Sequence, residues 1–401
     1  MNQYVFILGR EPALSVAEIK SVAVRLSVNI KWQTITPVYA LVQADLPANF
    51  FKQLAGTVKL AQVLQTIETN PEALEKLAAS ILTELNLPQW YLGFSWYGAK
   101  PPHWLSRSGL KVKHLATEQG KRGRFVVSRD LALSSVVVSK NKLLPPQGCE
   151  FILLPNDKGQ IMVARTLAVQ EFEDWGKRDF GRPAFDARVG MLPPKLAHMM
   201  VNLAEVSISA SILDPFCGSG TVLQEAAVLD YKNLCGTDMD AKGINRTRDN
   251  LAWLRQQYPD LKVEPHLLVS DVRQLSSTLN NQSFGAIVTE PYLGPPLTGK
   301  ESEDKLHHIQ TELTDFYRGA IKSLSYLLDP GGSLVMIWPQ IHWGKNILKL
   351  EALDVLNKLD LSIKKVLPSE APSAWTSDRG SLIYKRPDQH IAREIFVFIK
   401  K

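Results

Sequence analysis

Cysteine, long apolar runs and a basic leader are scarce or missing in this sequence. Its 401 residues include three cysteines, Cys149, Cys217 and Cys235, whose spacing fits neither a metal site nor a disulfide framework. So little cysteine indicates a reducing compartment, and we expect a cytoplasmic protein that needs no metal. No apolar run approaches the roughly 18 residues that span a bilayer. The first residues, MNQYVFILGREP, lack the basic residues and the apolar length of a signal peptide, so we expect no membrane partner.

Net charge is small everywhere except in one block of the chain. The whole sequence carries +6, from 46 basic and 40 acidic residues. Between Arg107 and Lys142, nine basic residues stand against two acidic ones, a local excess of +7. A folded basic surface attracts phosphates, so RNA is a candidate partner, beside the alternative of an ordinary solvated face. The candidate RNA-binding residues are Lys111, Lys113, Lys121, Arg122, Arg124, Lys140 and Lys142.

The first 167 residues mix strand and helix patterns without regular β-α-β alternation, which is typical of an α+β fold. Helices are predicted over 15–26, where Ser15 and Glu18 have the spacing of a capping box, and over 71–85, which begins with a proline. The strand-like stretches are 4–9, 37–44, 90–98, 124–127 and 133–140, followed by a hairpin over 150–167. Residues 168–195 are charged, aromatic and interrupted by prolines, and we interpret them as a linker.

From Ser211 onward, strand and helix patterns alternate regularly, which predicts a doubly wound parallel α/β sheet. Its predicted strands are 211–216, 233–238, 266–271, 286–291 and 332–339. Residues 381–400 read as two further strands, which we expect to form an antiparallel C-terminal hairpin at the edge of the sheet. In such folds ligands bind at the carboxyl ends of the strands, so the residues there are the candidate site.

A glycine loop, ILDPFCGSGT, follows the first of these strands. Gly218 and Gly220 allow close approach of the backbone to a ligand, and the helix that follows favours negative charge at its start. The dinucleotide fingerprint needs a third glycine where this chain has Leu223, and Asp214 would repel a pyrophosphate. An acid at that strand end instead suits a ligand with an ammonium group, such as S-adenosylmethionine.

Two more acids end the next two strands. Asp238 lies 24 residues after Asp214, where a ribose-binding carboxylate belongs in such folds, and Asp271 could accept a hydrogen bond from an adenine amine. Each aspartate alone could be an ordinary helix cap, but three in register with a glycine loop indicate a cofactor site. The candidate cofactor-binding residues are Asp214, Phe216, Gly218, Gly220, Thr221, Asp238, Asp271 and Val272.

With these motifs the sequence resembles the class I S-adenosylmethionine-dependent methyltransferases, and within them the THUMP-domain RNA guanine-N2 methyltransferases. The resemblance rests on DPFCGSGT, GTDMDAKGINRTRDNL and SDVRQL, on RPAFDARVGMLPPKLAHMMVNLA before them, and on IYKRPDQHIAREIFVF at the C-terminus, with Gln389, Arg393 and Glu394 in place. It implies a ferredoxin-like region at 1–60, a THUMP-like RNA-binding domain at 61–167, the linker at 168–195 and a Rossmann-like methyltransferase domain at 196–401. It also implies tRNA as a partner, and it does not exclude a small activator protein as a second partner.

The predicted catalytic strand ends in Thr289-Glu290-Pro291-Tyr292-Leu293-Gly294, whereas family members usually have D-P-P-Y or N-P-P-Y. An acceptor oxygen there binds the N–H groups of an exocyclic amine and directs its lone pair at the methyl group, while the ring stacks on a base that has left its helix. Here a longer Glu290 replaces the usual acceptor and one proline is missing. In one interpretation Glu290, Pro291 and Tyr292 are the catalytic residues. In the other, Tyr292 packs in the core and the site binds cofactor without transferring a methyl group.

We therefore predict transfer of a methyl group from S-adenosylmethionine to a guanosine N2 amine, first of all in tRNA. The alternatives are an RNA-binding protein with an inactive cofactor domain, a DNA amino-methyltransferase, and a nicotinamide oxidoreductase, which Asp214 and Leu223 disfavour. Methylation of base carbon C5 needs a cysteine nucleophile, and no cysteine follows Cys235. Cys217, inside the glycine loop, is interpreted as a packing residue.

Overall fold

The computed structural model describes residues 1–86, 89–184, 191–279, 282–386 and 389–401. These residues form two compact units. The N-terminal unit consists of residues 1–12, 28–52 and 57–173, and the C-terminal unit consists of residues 13–27, 53–56 and 174–401. Two short N-terminal segments of the chain, residues 13–27 and 53–56, therefore belong to the C-terminal unit.

Both units contain helices as well as strands. The helices are α1 (Pro12–Arg25), α2 (Pro71–Glu84), α3 (Leu105–Glu118), α4 (Ser135–Lys140), α5 (Phe172–Phe180), α6 (Pro194–Leu203), α7 (Thr221–Val228), α8 (Ala241–Gln257), α9 (Leu275–Thr278) and α10 (Glu303–Ser325). The strands are β1 (Asn2–Leu8), β2 (Lys31–Ile35), β3 (Tyr39–Ala44), β4 (Thr57–Glu68), β5 (Gln89–Trp96), β6 (Arg122–Val126), β7 (Cys149–Pro155), β8 (Gln160–Val169), β9 (Ser211–Asp214), β10 (Asn233–Asp238), β11 (His266–Val269), β12 (Phe284–Thr289), β13 (Leu328–Trp343), β14 (Asn346–Lys349), β15 (Leu361–Ile363), β16 (Leu382–Tyr384) and β17 (Ile391–Lys400).

One mixed sheet runs through the N-terminal unit, in the order β2-β3-β1-β4-β8-β7-β5-β6. The strands of the first 60 residues and those that follow share this sheet, and β5 pairs in parallel with both β6 and β7. The predicted hairpin of β7 and β8 is confirmed as an antiparallel pair. The mixed pairing agrees with the predicted α+β class, whereas the division into a ferredoxin-like and a THUMP-like domain stays a prediction.

A buried ion pair lies inside this sheet. The Lys59 ammonium contacts the Glu150 carboxylate, and both side chains are almost fully buried. Lys59 also donates to the Leu133 carbonyl (2.6 Å), and Thr166 donates to the other Glu150 oxygen (2.6 Å). A buried pair of this kind is tolerated because hydrogen bonds satisfy its remaining polar atoms. It ties the loop before α4 to the strands of the sheet.

Two local predictions in this part of the chain are wrong. Residues 133–140, predicted as a strand from their valines, contain the helix α4, because the Ser134 hydroxyl caps it by accepting from the Val137 amide (3.3 Å). Ser15 does not begin α1, which starts at Pro12. Its hydroxyl donates instead to the Gly56 carbonyl (2.7 Å), and Glu18 is buried and accepts from the Gly56 amide (2.8 Å). Tertiary contacts have replaced the local cap.

The C-terminal unit contains the predicted α/β sheet. Its order is β11-β10-β9-β12-β13-β17-β15, with β14 paired to β13 and β16 paired to β17. The strands β11, β10, β9, β12 and β13 pair in parallel. The antiparallel C-terminal hairpin of β16 and β17 is confirmed at the edge of the sheet, where β16 pairs with the side of β17 that faces away from β13. Strand β17 lies between β13 and β15, and its long apolar run Ile395–Ile399 is that of a strand covered on both faces.

The predicted linker is partly helical. Strand β8 extends into it as far as Val169, α5 follows, and α6 begins at Pro194. Its residues 185–190, part of the predicted family signature, lie outside the described residues. Within the described ranges, no helix combines the length and apolarity needed to cross a bilayer, and no group of three or more ligand-type side chains could hold a metal.

Candidate active site

The acids of the predicted cofactor site all lie at the carboxyl edge of the parallel sheet. Strands β9, β10 and β11 pair so that Asp214 is level with Gly236 and Asp238 is level with Val269. On the other side of β9, β12 pairs in parallel and ends at Thr289, directly before Glu290. Parallel strands end at the same edge, and this is where ligands bind in such folds. The structure thus brings the cofactor and catalytic candidates to one edge.

The glycine loop between β9 and α7 depends on two left-handed residues. Gly218 has φ +52° and Gly220 has φ +79°, values that side-chain-bearing residues rarely adopt. A Cβ atom on Gly220 would also lie only 2.8 Å from Cγ2 of Thr247. Thr247 in turn donates from its hydroxyl to the Gly218 carbonyl (2.9 Å). The loop is therefore packed tightly against α8, with no room for a side chain at Gly220.

Asp214 is buried at the end of β9, with 2% of its surface exposed. Its Oδ1 accepts hydrogen bonds from the Thr289 hydroxyl (2.7 Å) and from the Phe216 amide (3.2 Å). Burial raises the pKa of this carboxyl to about 7, although the hydrogen bond from Thr289 opposes the rise. The side chain therefore changes charge close to neutral pH.

Asp238 holds the glycine loop from the neighbouring strand. Its two oxygens accept from the amides of Gly218 (2.9 Å) and Asp240 (2.9 Å), and each carboxylate oxygen has capacity for a second bond. The next residue, Met239, has 73% of its surface exposed at this edge. Met239 is not among the residues predicted from the sequence, although a methionine directly after a strand-end acid was the available signal. An exposed apolar side chain here offers a contact for a flat ligand ring.

Asp271 is engaged with its own neighbour. Its carboxylate accepts from the Arg273 amide (2.9 Å) and pairs with the Arg273 guanidinium (2.5 Å). The hydrogen bond from the Arg273 side chain holds the pKa of Asp271 below its usual value. The ionised carboxylate would have to share its oxygens with an adenine amine, so its predicted role stays a prediction. Val272 is buried beside it.

The other loop candidates mainly serve packing. The Phe216 ring meets the Phe316 ring edge-on at 5.9 Å, and the Thr221 hydroxyl accepts from the Arg182 guanidinium (2.7 Å). Cys217 is buried, and burial raises the pKa of its thiol far above the usual value. A thiol held neutral is a poor nucleophile, which agrees with the predicted packing role.

Glu290 follows the last residue of β12 and lies opposite an arginine from the C-terminal strand. The Nε atom of Arg393 donates to its Oε1 (2.6 Å), and 13% of the Glu290 side chain is exposed. Burial raises the pKa of Glu290, while Arg393 lowers it. Pro291 is buried directly after it. The Glu290 carboxylate is thus paired with one cation, the guanidinium of Arg393.

Tyr292 is exposed, with 58% of its surface accessible. Its backbone carbonyl accepts from the Tyr317 hydroxyl (3.2 Å), so the loop is held by its main chain while the ring stays free of the core. The interpretation of Tyr292 as a core residue is therefore wrong. The loop then turns at Gly294, whose φ of +102° suits glycine.

The basic candidates all belong to the N-terminal unit and lie on α3, β6 and α4 and in the turns after α3 and after α4. Three have polar partners: Lys111 pairs with Glu75 (2.9 Å), Arg124 donates to Asn141 (3.0 Å) and Lys121 donates to Asn86 (3.5 Å). Some lie over aromatic rings, with Lys121 5.9 Å from the centre of Trp90 and Lys142 5.9 Å from the centre of Tyr91. Lys140 is similarly placed over Phe172, Arg122 is exposed, and Lys113 is half-buried.

Comparisons with known proteins agree with this geometry. Residues 182–340 match the family model described as the RMKL-like methyltransferase domain. The chain is 34% identical over 189 residues to the tRNA (guanine(10)-N2)-dimethyltransferase of Methanothermobacter thermautotrophicus, covering 47% of this chain and 49% of that protein. It is 30% identical over 155 residues to the tRNA (guanine(6)-N2)-methyltransferase of Thermus thermophilus, covering 37% and 39%.

A solved structure resembles the whole chain. The crystal structure of TrmN from Thermus thermophilus superimposes with a TM-score of 0.54 at 15% sequence identity and covers 100% of both chains, a likeness of fold. The chain spans about half the length, or less, of the two curated relatives named above. Residues 182–340, which contain the glycine loop, the three aspartates and the Glu-Pro-Tyr loop, are thus similar to the RMKL-like methyltransferase domain, and the resemblance predicted from the motifs is confirmed.

Proposed function

We propose that this protein is a methyltransferase that uses S-adenosylmethionine to methylate the exocyclic N2 amine of a guanosine in tRNA. The observation that carries the proposal is the Glu290-Pro291-Tyr292 loop, where a carboxylate and an exposed ring follow a strand adjacent to the acidic glycine loop. An amine acceptor and a stacking platform beside a cofactor site are what amine methylation of a base requires.

The cofactor would lie against the glycine loop. When bound, S-adenosylmethionine would supply a methyl group on a positively charged sulfur. Asp214, in its ionised form, would bind the ammonium group, Asp238 the ribose hydroxyls, and Asp271 the adenine amine. Asp214 suits an ammonium group because its carboxyl becomes anionic near neutral pH, and the missing third glycine at Leu223 disfavours a dinucleotide.

Glu290 and Tyr292 would hold the target base. The lone pair of an exocyclic amine is delocalised into the ring, so the amine is a poor nucleophile until its N–H groups are bound and its nitrogen is directed. The carboxylate of Glu290 would accept an N–H bond and then the proton that the nitrogen loses as it gains the methyl group. The exposed Tyr292 ring would stack on the base after it leaves its helix. Positioning and preorganised charge would then supply most of the rate.

The choice of tRNA rests on the relatives and on the charge block. The two curated relatives are named as tRNA guanine-N2 methyltransferases. The basic side chains of α3, β6 and α4 offer cations for a phosphate backbone, and several of them lie beside aromatic rings. These residues would bind the RNA from the N-terminal unit, while the Glu-Pro-Tyr loop would bind the target nucleoside.

The test is methyl transfer to a pool of unmodified tRNA transcripts, with nucleoside mass spectrometry to identify the product. We expect N2-methylguanosine from the wild type and a loss of at least about 100-fold in kcat for Glu290→Ala, the range of a lost acid–base group. Glu312→Ala is the matched control, because Glu312 is an exposed glutamate on α10.

The outcomes separate the alternatives. No methylation by the wild type, with the RNA still bound, would favour an RNA-binding protein with an inactive cofactor domain. Unchanged activity in Glu290→Ala would remove Glu290 from the mechanism. Preference for duplex DNA over the tRNA pool in competition would favour a DNA amino-methyltransferase.

A further inference from the structure

Glu290 and Arg393 are 103 residues apart in sequence and form an ion pair at the candidate site. Strand β12 places Thr289 level with Met336 of β13, and β17 places Arg393 level with Pro339 of the same strand. The two side chains therefore meet across β13, near its residues Met336 and Pro339. With only 5% of its surface exposed, Arg393 is a buried cation that reaches the loop from a different part of the chain.

The Arg393 side chain is fixed on further sides. Its register partner on β16 is Tyr384, whose ring centre lies 6.0 Å from the guanidinium carbon. Its Nη1 donates to the Gln389 side chain (3.4 Å). An arginine held by a ring, an amide and a carboxylate keeps one orientation. The direction in which it draws the Glu290 carboxylate is therefore fixed as well.

The charge of Glu290 depends on this partner. Burial raises the pKa of Glu290, and Arg393 is the group that opposes the rise. Among the residues that the structure describes, Asp214 at the end of β9 and Tyr317 on α10 also interact electrostatically with Glu290, and neither is a cation. A protonated Glu290 keeps one acceptor oxygen but can no longer take up the proton that the amine loses. Loss of the cation would thus weaken Glu290 as a base.

We propose that Arg393 is the positioning residue of the Glu-Pro-Tyr loop: it anchors Oε1 of Glu290, keeps the carboxylate ionised and leaves Oε2 for the substrate amine. This role rests on the proposed methyl transfer to an amine. It also accounts for the longer side chain. Glutamate has one more rotatable bond than the usual aspartate, and the bond to Arg393 removes the freedom that this adds.

The first experiment is the pH dependence of kcat for transfer to the unmodified tRNA pool. In Arg393→Gln the pKa of Glu290 rises, so we expect the acidic limb of the profile to move up by about 1–3 pH units. Arg393→Lys keeps the charge but not the geometry of the guanidinium. The acidic limb should therefore return to its wild-type pH, while kcat stays reduced. A profile in Arg393→Gln that coincides with that of the wild type would overturn the proposal.

A neighbouring ion pair supplies the control. Arg379 pairs with Glu394, the residue next to Arg393, and this pair is also largely buried. Arg379→Gln should lower thermal stability, as Arg393→Gln does, and leave the acidic limb where it is. A limb that moves equally in both variants would assign the effect to general destabilisation and reject the role of Arg393.

A second measurement does not depend on activity. Carbon-13 NMR of the glutamate side-chain carboxyls, with the Glu290 signal assigned through Glu290→Gln, gives the pH at which Glu290 titrates. That pH should be higher in Arg393→Gln than in the wild type and close to the wild-type value in Arg393→Lys. If Glu290 titrates at the same pH in Arg393→Gln and in the wild type, the inference about Arg393 is refuted, whether or not the enzyme is active. If the enzyme is inactive on tRNA, that result counts against the proposed function alone.

Discussion

Asp214 and Glu290 are buried carboxylates at the same end of the parallel strands, but different partners offset the energetic cost of burying each one. Asp214 has a hydroxyl and an amide as partners, and its pKa rises to about 7. Glu290 has a guanidinium as partner, which opposes the rise. A cation favours the ionised form far more than neutral donors do, so residues of the same class acquire different properties. Asp214 is therefore expected to change its charge close to neutral pH.

Cofactor affinity should depend on the ionisation of Asp214. Below pH 7 the carboxyl is increasingly protonated and loses its attraction for an ammonium group, so binding of S-adenosylmethionine should weaken from pH 7.5 to pH 5.5. The limit is about tenfold in Kd for each pH unit below the pKa. Titration calorimetry at three pH values measures this. Asp214→Asn should bind weakly with little pH dependence, and a wild-type Kd that is constant over the range would contradict the assignment.

Tyr292 should matter for substrate and not for stability. Because its ring is exposed, Tyr292→Ala should leave the thermal unfolding midpoint unchanged and lower kcat/KM by about 5- to 150-fold, the worth of one stacked base. Tyr292→Phe keeps the ring and should retain most of the activity. The control is Tyr326→Ala, since Tyr326 is also exposed, at 65%, and lies at the end of α10. A large fall in the unfolding midpoint of Tyr292→Ala would show that the ring packs after all.

At the scale of elements, the glycine loop packs directly against the helix α8. The loop enters α7 through Gly220, and Thr247 on α8 both contacts that glycine and bonds the loop carbonyl at Gly218. The loop conformation is thus determined by a neighbouring helix as well as by its own glycines. A substitution at Gly220 tests both contributions.

Gly220→Ala should destabilise the protein through strain and through crowding. The positive φ alone costs about 1 kcal/mol for a side-chain-bearing residue, and a Cβ atom 2.8 Å from Thr247 adds to that cost. The matched control is Gly331→Ala, because Gly331 has φ +77° and open space around it. Urea denaturation measures the loss of unfolding free energy in each variant, and the difference between the two losses is the contribution of crowding. Equal losses of unfolding free energy would mean that the loop moves away from α8 without cost.

Across the whole molecule, the basic block and the candidate site belong to different compact units. All seven basic candidates are in the N-terminal unit, and all cofactor and catalytic candidates are in the C-terminal unit. We therefore expect the proposed RNA binding and the proposed chemistry on a base to be separable by mutation. Phosphate contacts release counterions, so the basic block should govern the salt dependence of binding.

Replacement of Lys121, Arg122 and Arg124 together by alanine should weaken binding of the tRNA pool and reduce its dependence on salt. For three lost phosphate contacts, the slope of log Kd against log salt should fall by about 2 to 3. Fluorescence anisotropy from 50 to 300 mM salt measures the slope, with exposed Lys232, Lys262 and Lys358 replaced as the control. An unchanged slope would show that this block is a solvated face.

What could be predicted from the sequence was local in origin. The parallel sheet, the glycine loop and the acids at the strand ends follow from patterns within a few residues, because strand alternation and a left-handed turn are properties of short segments. The same locality explains the error over 133–140: valines favour a strand, yet a single serine cap and the surrounding contacts made it a helix.

Only the tertiary structure decided the state of the candidate site. Nothing within ten residues of Glu290 indicates that Nε of Arg393 lies 2.6 Å from its Oε1, or that the ring of Tyr292 is exposed. Likewise, the place of β17 inside the sheet depends on pairing with β13 rather than on its own residues. The physical reason is that burial and charge depend on neighbours in space. A sequence determines which side chains stand at the strand ends, whereas folding determines which of them are buried, which are paired and which are left to meet a substrate.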